Sequence, residues 1–114
     1  MGSLEISPEG RWELYRLLGE PLRLRLLALA HEEELAIGEL AELLREPQPK
    51  ISKHVKPLRQ AGLLGERKQG ARVLVRLAEA ILADAVVADA VASGRTLCEA
   101  DGSLARVATV LAHR

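Results

Sequence analysis

Apolar positions follow a helical rhythm along most of the chain, interrupted by one stretch of strict alternation. Ser7-Pro8-Glu9 predicts a helix start, with a serine cap and a proline in the first turn. Trp12, Tyr15, Leu17 and Leu18 then give that helix an apolar side before Gly19 ends it. Glu20-Pro21 opens a second helix, "PLRLRLLALAHEEE", whose later part is apolar nearly all round and so belongs at the centre of a core. Leu35-Ala36-Ile37 predicts a short extended piece, Gly38 a cap, and Glu39 to Arg45 a short third helix. In "EPQPKISKHVKPLRQAG", Ile51, Val55 and Leu58 recur at i, i+4 and i+7, forming one stripe. Lys53 and Gln60 point away from it, Lys50 and Lys56 flank it, and Gly62 stops the helix. The alternating stretch is "LLGERKQGARVLVRL". Val73, Val75 and Leu77 interleave with Arg72, Leu74 and Arg76, predicting a β-hairpin with its tight turn at Gln69-Gly70. An Ala/Val-rich helix over 79–93 follows, ended by Gly94, and Asp101 caps a last helix running to about Ala112.

This order predicts a mainly α fold with a small β-hairpin, a winged helix-turn-helix formed as a single domain over 1–114. N-terminal helices occupy 7–34, the helix-turn-helix 35–62, the wing 63–77 and the C-terminal helices 79–112. In such an arrangement the second helix of the turn enters the DNA major groove and the hairpin reaches the neighbouring backbone. With 48% hydrophobic and 28% charged residues the composition is that of a folded chain. Phe is absent and Trp and Tyr occur once each, so the core is left to Leu, Val, Ile and Ala. The single cysteine, Cys98, excludes an internal disulfide, fits a reducing compartment and is expected as a small core residue. No apolar run approaches the ~18 residues of a membrane span, and no signal-peptide pattern opens the chain, so a cytoplasmic protein is expected.

Charge changes the picture more. The net charge is zero, yet residues 45–76 carry nine Lys or Arg against Glu46 and Glu66, a local charge of +7 balanced by −7 elsewhere. A basic surface on an acidic body points to a polyanionic partner, and here it coincides with the predicted helix-turn-helix. Catalysis finds no support: there is no phosphate-cradling glycine loop, no nucleophile elbow and no His-based metal motif. Glu32-Glu33-Glu34 is expected to be a solvated carboxylate run.

The stretches "LGEPLRLRLLALA", "ELAIGELAELL", "QPKISKHVKPLRQAGLL" and "ERKQGARVLVRL" cover 17–77 in an order that resembles the ArsR-type (ArsR/SmtB) bacterial repressors. The resemblance implies a homodimer that binds a roughly palindromic operator in double-stranded DNA and represses transcription. It places Gln48, Lys50, Ser52, Lys53 and His54 at base- and phosphate-contacting positions of the recognition helix. It puts Lys68, Gln69 and Arg72 on the wing, with Lys56 and Arg67 (and Arg59) as weaker candidates. It also implies a dimer interface made by the first and last long helices: Trp12 and Tyr15 on one, Ile81, Leu82, Val86 and Val91 on the other. Helix 79–93 is apolar on nearly every side, which in so small a chain also argues for burial against a second copy.

The sequence departs from the family pattern in three places. Pro47 replaces a small polar cap, leaving the helix start to Glu46 or water. Pro57 removes a backbone donor inside the recognition helix, on its outer side and past the half that reads bases. Ala36 and Gly38 stand where many members carry a Cys-x-Cys metal pair, and 79–93 contains no His, so neither a metal site nor another cofactor is expected. Two other readings follow from the same residues: a winged helix serving only protein interaction or dimerisation, and the N-terminal domain of a methyltransferase-fused regulator, whose linker the tail "ASGRTLCEADGSLARVATVLAHR" resembles.

Overall fold

The computed structural model describes residues 8–114; the expected Ser7 cap lies outside the described residues. Helices α1 (Pro8–Leu18) and α2 (Pro21–Glu32) lead into a short strand β1 (Leu35–Ala36), then α3 (Ile37–Leu44) and α4 (Gln48–Gln60). Strands β2 (Leu64–Gln69) and β3 (Arg72–Leu77) form the hairpin. A 3-10 turn (Glu79–Ala83), α5 (Ala85–Asp101), a second 3-10 turn (Leu104–Arg106) and α6 (Val107–Ala112) complete the chain. The sheet is antiparallel with order β1-β3-β2, and Leu35 pairs with Val75 while Leu64 pairs with Leu77. The mainly α architecture with a β-hairpin is the one expected.

Helix α2 is the axis of the core. Glu20 caps it by accepting from Leu22 N at 3.0 Å, and every residue from Leu26 to Ala30 is buried. Its most extensive partner is α5. The two backbones meet at Gly94, where a Cβ would stand 1.9 Å from the Leu24 carbonyl oxygen and 3.2 Å from Ala28 Cβ. Gly94 therefore does not end a helix, contrary to the sequence reading. Helix α5 runs through it and stops at Gly102, whose φ of 83° suits glycine. The same residue type serves as a helix stop and as a site of close backbone approach, and only the neighbouring helix distinguishes the two.

The start of α5 differs as well. Residues 79–83 are a separate 3-10 turn, and the helix begins after Asp84, whose Oδ1 accepts from Val86 N at 2.9 Å and Val87 N at 3.3 Å. Asp84 also receives the Arg11 guanidinium, tying α1 to α5. Asp101 is the last residue of α5 rather than the cap of a further helix, and its carboxylate accepts from Ser103 N at 2.8 Å. Cys98 is fully buried, as expected, and burial pushes its thiol pKa up, which makes it unreactive.

The predicted apolar faces are redistributed. Ile81, Val87 and Val91 are buried in the subunit's own core, and Leu82 and Val86 are half-buried against it. Ile81, Val87 and Val91 therefore need no second copy to cover them, whereas Leu82 and Val86 keep part of their surface open. On α1, Leu14 and Leu18 face the core, whereas Trp12 is 65% and Tyr15 53% exposed. The hairpin turn falls one residue later than expected, at Gly70-Ala71 with Gly70 φ at 63°, because Gln69 still pairs with Arg72. Likewise α3 starts before Gly38, which lies in its first turn.

Substituting Gly94 with Ala would drive a methyl group into the Leu24 backbone, which cannot yield as a side chain can. The variant is expected to lose about 3 kcal/mol or more of unfolding free energy in urea titration.

Candidate nucleic-acid interface

Helices α3 and α4 meet across the turn Arg45-Glu46-Pro47. Arg45 takes the left-handed conformation, φ 56°, and Glu46 N donates to Ala41 O at 3.1 Å, closing α3. Arg106 Nη2 reaches across from the second 3-10 turn to donate to Leu43 O at 2.7 Å, holding the same helix end. Pro47 is the extended N-cap of α4 and makes no side-chain cap; Glu46 instead pairs with Lys50 Nζ at 3.2 Å. At the other end Gly62, φ 81°, lets Leu63 N donate to Leu58 O at 2.9 Å. Ile51, Val55 and Leu58 are buried as the periodicity predicted, which fixes the rotation of α4 and turns Gln48, Lys50, Ser52, Lys53 and Lys56 outward.

His54 is placed differently from these. It is half-buried, and its Nδ1 accepts from Arg23 Nε at 3.1 Å while Arg23 Nη1 donates to Leu17 O at 3.2 Å. Burial, reinforced by the Arg23 guanidinium, pushes its pKa below the usual imidazole range. A neutral imidazole that accepts at Nδ1 carries its proton on Nε2. His54 thus links α4 to α2 and the end of α1.

The wing divides into two sets. Lys68, Gln69 and Val73 near its tip are exposed. The arginines behind them are bound to carboxylates. Arg67 Nη2 donates to Glu34 Oε1 at 2.6 Å, Arg76 lies 3.8 Å from Glu34 Oε2, and Arg72 Nη2 is 2.9 Å from Glu39 Oε2. Glu34 is therefore not part of a solvated carboxylate run. Glu39 is a buried anchor: its Oε1 accepts from Ala36 N at 2.9 Å, and the Arg114 fork grips both its oxygens at 2.9 Å. Arg114 Nη2 also donates to Glu34 O at 2.6 Å. Sequence reading missed Glu39 and Arg114. The available signal was a glutamate three residues after an extended residue, half of a capping box; nothing in the sequence marked Arg114.

Pairing thins the basic stretch. Five of its cations (Lys50, Arg59, Arg67, Arg72 and Arg76) have carboxylate partners, Arg59 meeting Glu66 at 3.2 Å. Among the described residues Arg45, Lys53, Lys56 and Lys68 form no ion pair. Also among the described residues, His, Cys, Asp and Glu nowhere gather in threes that could hold a metal ion, and no helix is long and apolar enough to cross a membrane.

A model of the helix-turn-helix domain matches residues 18–67. The HTH-type transcriptional repressor SmtB of Mycobacterium tuberculosis is 40% identical over 67 residues, 59% of this chain and 50% of that protein. The arsenical resistance operon repressor of Escherichia coli is 42% identical over 70 residues, 60% of each chain. The solved structure of reduced HlyU from Vibrio cholerae is 30% identical with a TM-score of 0.55, covering 65% of this chain and 77% of that one. The chain belongs to the ArsR/SmtB family. It spans about half the length of SmtB, the first of these relatives. In this ArsR/SmtB protein Arg72 ties the hairpin to Glu39 on α3, and Arg67 and Arg76 tie it to Glu34 in the connection between α2 and β1.

Arg114 holds the Glu39 carboxyl well below the usual range, at about 2 against an ordinary 4.5, with Ala36 N and Arg72 adding to the effect and burial opposing it. The folded pKa is depressed, so the stabilisation is present above pH ~4.5 and is lost as pH falls toward ~2. Thermal melts of the parent should fall across that window, and those of Glu39→Gln should fall less. At pH 7 the variant should be less stable by at most ~3 kcal/mol.

Proposed function

We propose that this ArsR/SmtB chain is a cytoplasmic, DNA-binding transcriptional repressor that acts as a homodimer on a roughly palindromic operator. One observation carries the reading: α4 is locked by Ile51, Val55 and Leu58 and presents Ser52, Lys53 and Lys56, without ion partners for the lysines, on its outer side. A helix so presented fits the major groove. Gln48, in the first turn, has the chemistry to pair with an adenine edge, and Lys53 with guanine or phosphate. Lys68 and Gln69 at the wing tip supply backbone contacts. Arg67 and Arg72 brace the wing against Glu34 and Glu39 instead of reaching DNA. The repressors SmtB and the arsenical resistance operon repressor, to which the chain is similar, support the regulatory role.

The second copy docks on apolar side chains that the subunit leaves open: Trp12 and Tyr15 of α1, and Leu97 of α5. Two recognition helices would then read half-sites about one helical turn, ~34 Å, apart. Light scattering at micromolar concentration should give twice the chain mass, and Trp12→Ala with Tyr15→Ala should shift it toward the monomer. A monomeric parent would exclude the dimer.

Lys53, Lys56 and Lys68 in two subunits neutralise about six phosphates, so log affinity should fall against log salt with a slope near −5, about 10³-fold between 50 and 200 mM. Lys68→Ala should weaken binding to all sequences and flatten that slope by about 2. Gln48→Ala should instead lose ~1–3 kcal/mol at particular base pairs, because only a base contact carries sequence information. Promoter binding no tighter than nonspecific binding at low salt would refute the repressor reading.

A further inference from the structure

Gln48 does not stand clear of the protein. Its side-chain amide lies over Gly38 in the first turn of α3, where a Cβ on residue 38 would meet Gln48 Nε2 at 3.2 Å and Cδ at 3.8 Å. Neither backbone conformation nor backbone crowding calls for a glycine here. Gly38 does not occupy the left-handed region, so its φ is open to any residue. Nor does backbone press on it as the Leu24 carbonyl presses on Gly94: the atoms that a side chain at 38 would displace belong to Gln48.

We propose that Gly38 is a specificity-determining residue that acts through Gln48. Leu40 and Leu43 anchor α3 and Ile51 and Val55 anchor α4, so both ends of this contact sit on fixed elements. The Gln48 amide therefore rests on a rigid seat, and the bareness of Gly38 sets how far back it lies. A bidentate contact to adenine needs the amide oxygen and nitrogen placed together against the base edge, so small displacements of the group weaken it. A methyl group at 38 shifts the amide by a few tenths of an ångström, within reach of a flexible side chain and without strain on the fold. Residue 38 thereby tunes which base Gln48 accepts without touching DNA itself.

The inference rests on the DNA-reading role proposed above, and one set of proteins separates the two. The parent, Gly38→Ala, Gln48→Ala and the double variant are each used to select from a randomised duplex library, and the selected sites are sequenced. Gly38→Ala should change base preference about fivefold, at the same base pair in each half-site that Gln48→Ala affects. The double variant should select as Gln48→Ala does, because the methyl then has no amide to move. In the free protein, the side-chain amide resonances of Gln48 should shift in Gly38→Ala. Its melting temperature should be no lower than the parent's, since alanine favours a helix. The inference is overturned if Gly38→Ala selects the parental motif or alters all sequences equally. Additive effects in the double variant, or a melt well below the parent's, would overturn it too. A parent that selects no motif refutes the DNA-reading role, and this inference falls with it. A selected motif that is insensitive to both substitutions refutes this inference and the Gln48 base contact, and leaves the DNA-reading role of the chain standing.

Discussion

The approach of α5 to α2 at Gly94 is the constraint on which the rest of the structure depends. With no side chain at 94, the α5 backbone reaches the Leu24 carbonyl, and the Leu26–Ala30 segment of α2 is enclosed. That contact lets a core almost without aromatic side chains close: Leu, Val and Ala lack the bulk to fill a wide gap, so the helices themselves must come close. Helix α5 in turn brings Asp84 to Arg11 and so holds α1, while α2 presents Arg23 to His54 on α4. Helix α4 and the hairpin are thus hung on a helix pair whose spacing one residue decides.

Electrostatics works around the hairpin by subtraction. A stretch with nine cations would attract DNA through all of them if each were free, yet Glu34 and Glu39 take Arg67, Arg72 and Arg76 out of that role. Glu39 is a buried carboxylate satisfied by a backbone amide, the Arg114 fork and Arg72, the kind of full pairing that a buried charge requires. The wing is held at its base by ion pairs and offers Lys68 and Gln69 at its tip. The lysines that form no ion pair are few and sit on fixed elements, whereas diffuse attraction by many cations carries no sequence information.

Local rules made much of the fold legible. The Ile51, Val55 and Leu58 stripe, the alternating hairpin, the Glu20-Pro21 start and the Gly62 stop are each decided by residues within a turn or two, where periodicity and capping act. The outward set on α4 followed from the same stripe, because burying one side of a helix fixes the other. Local rules erred where one residue type has two uses. Gly94 and Gly38 read locally as caps, but one admits a neighbouring backbone and the other a neighbouring side chain. Asp84, placed within a helix by composition, begins one.

What the sequence determined by itself is therefore the order and kind of the elements, the buried stripe of α4 and the concentration of positive charge, all set by neighbours in the chain. Only the tertiary structure decided which cations remain free, which apolar side chains stay open on α1 and α5, and what each glycine is for. Those outcomes rest on contacts such as Arg114 with Glu39, 75 positions apart in sequence, and Gly94 with Leu24. No local pattern encodes such a contact, because its energy exists only once the helices have packed.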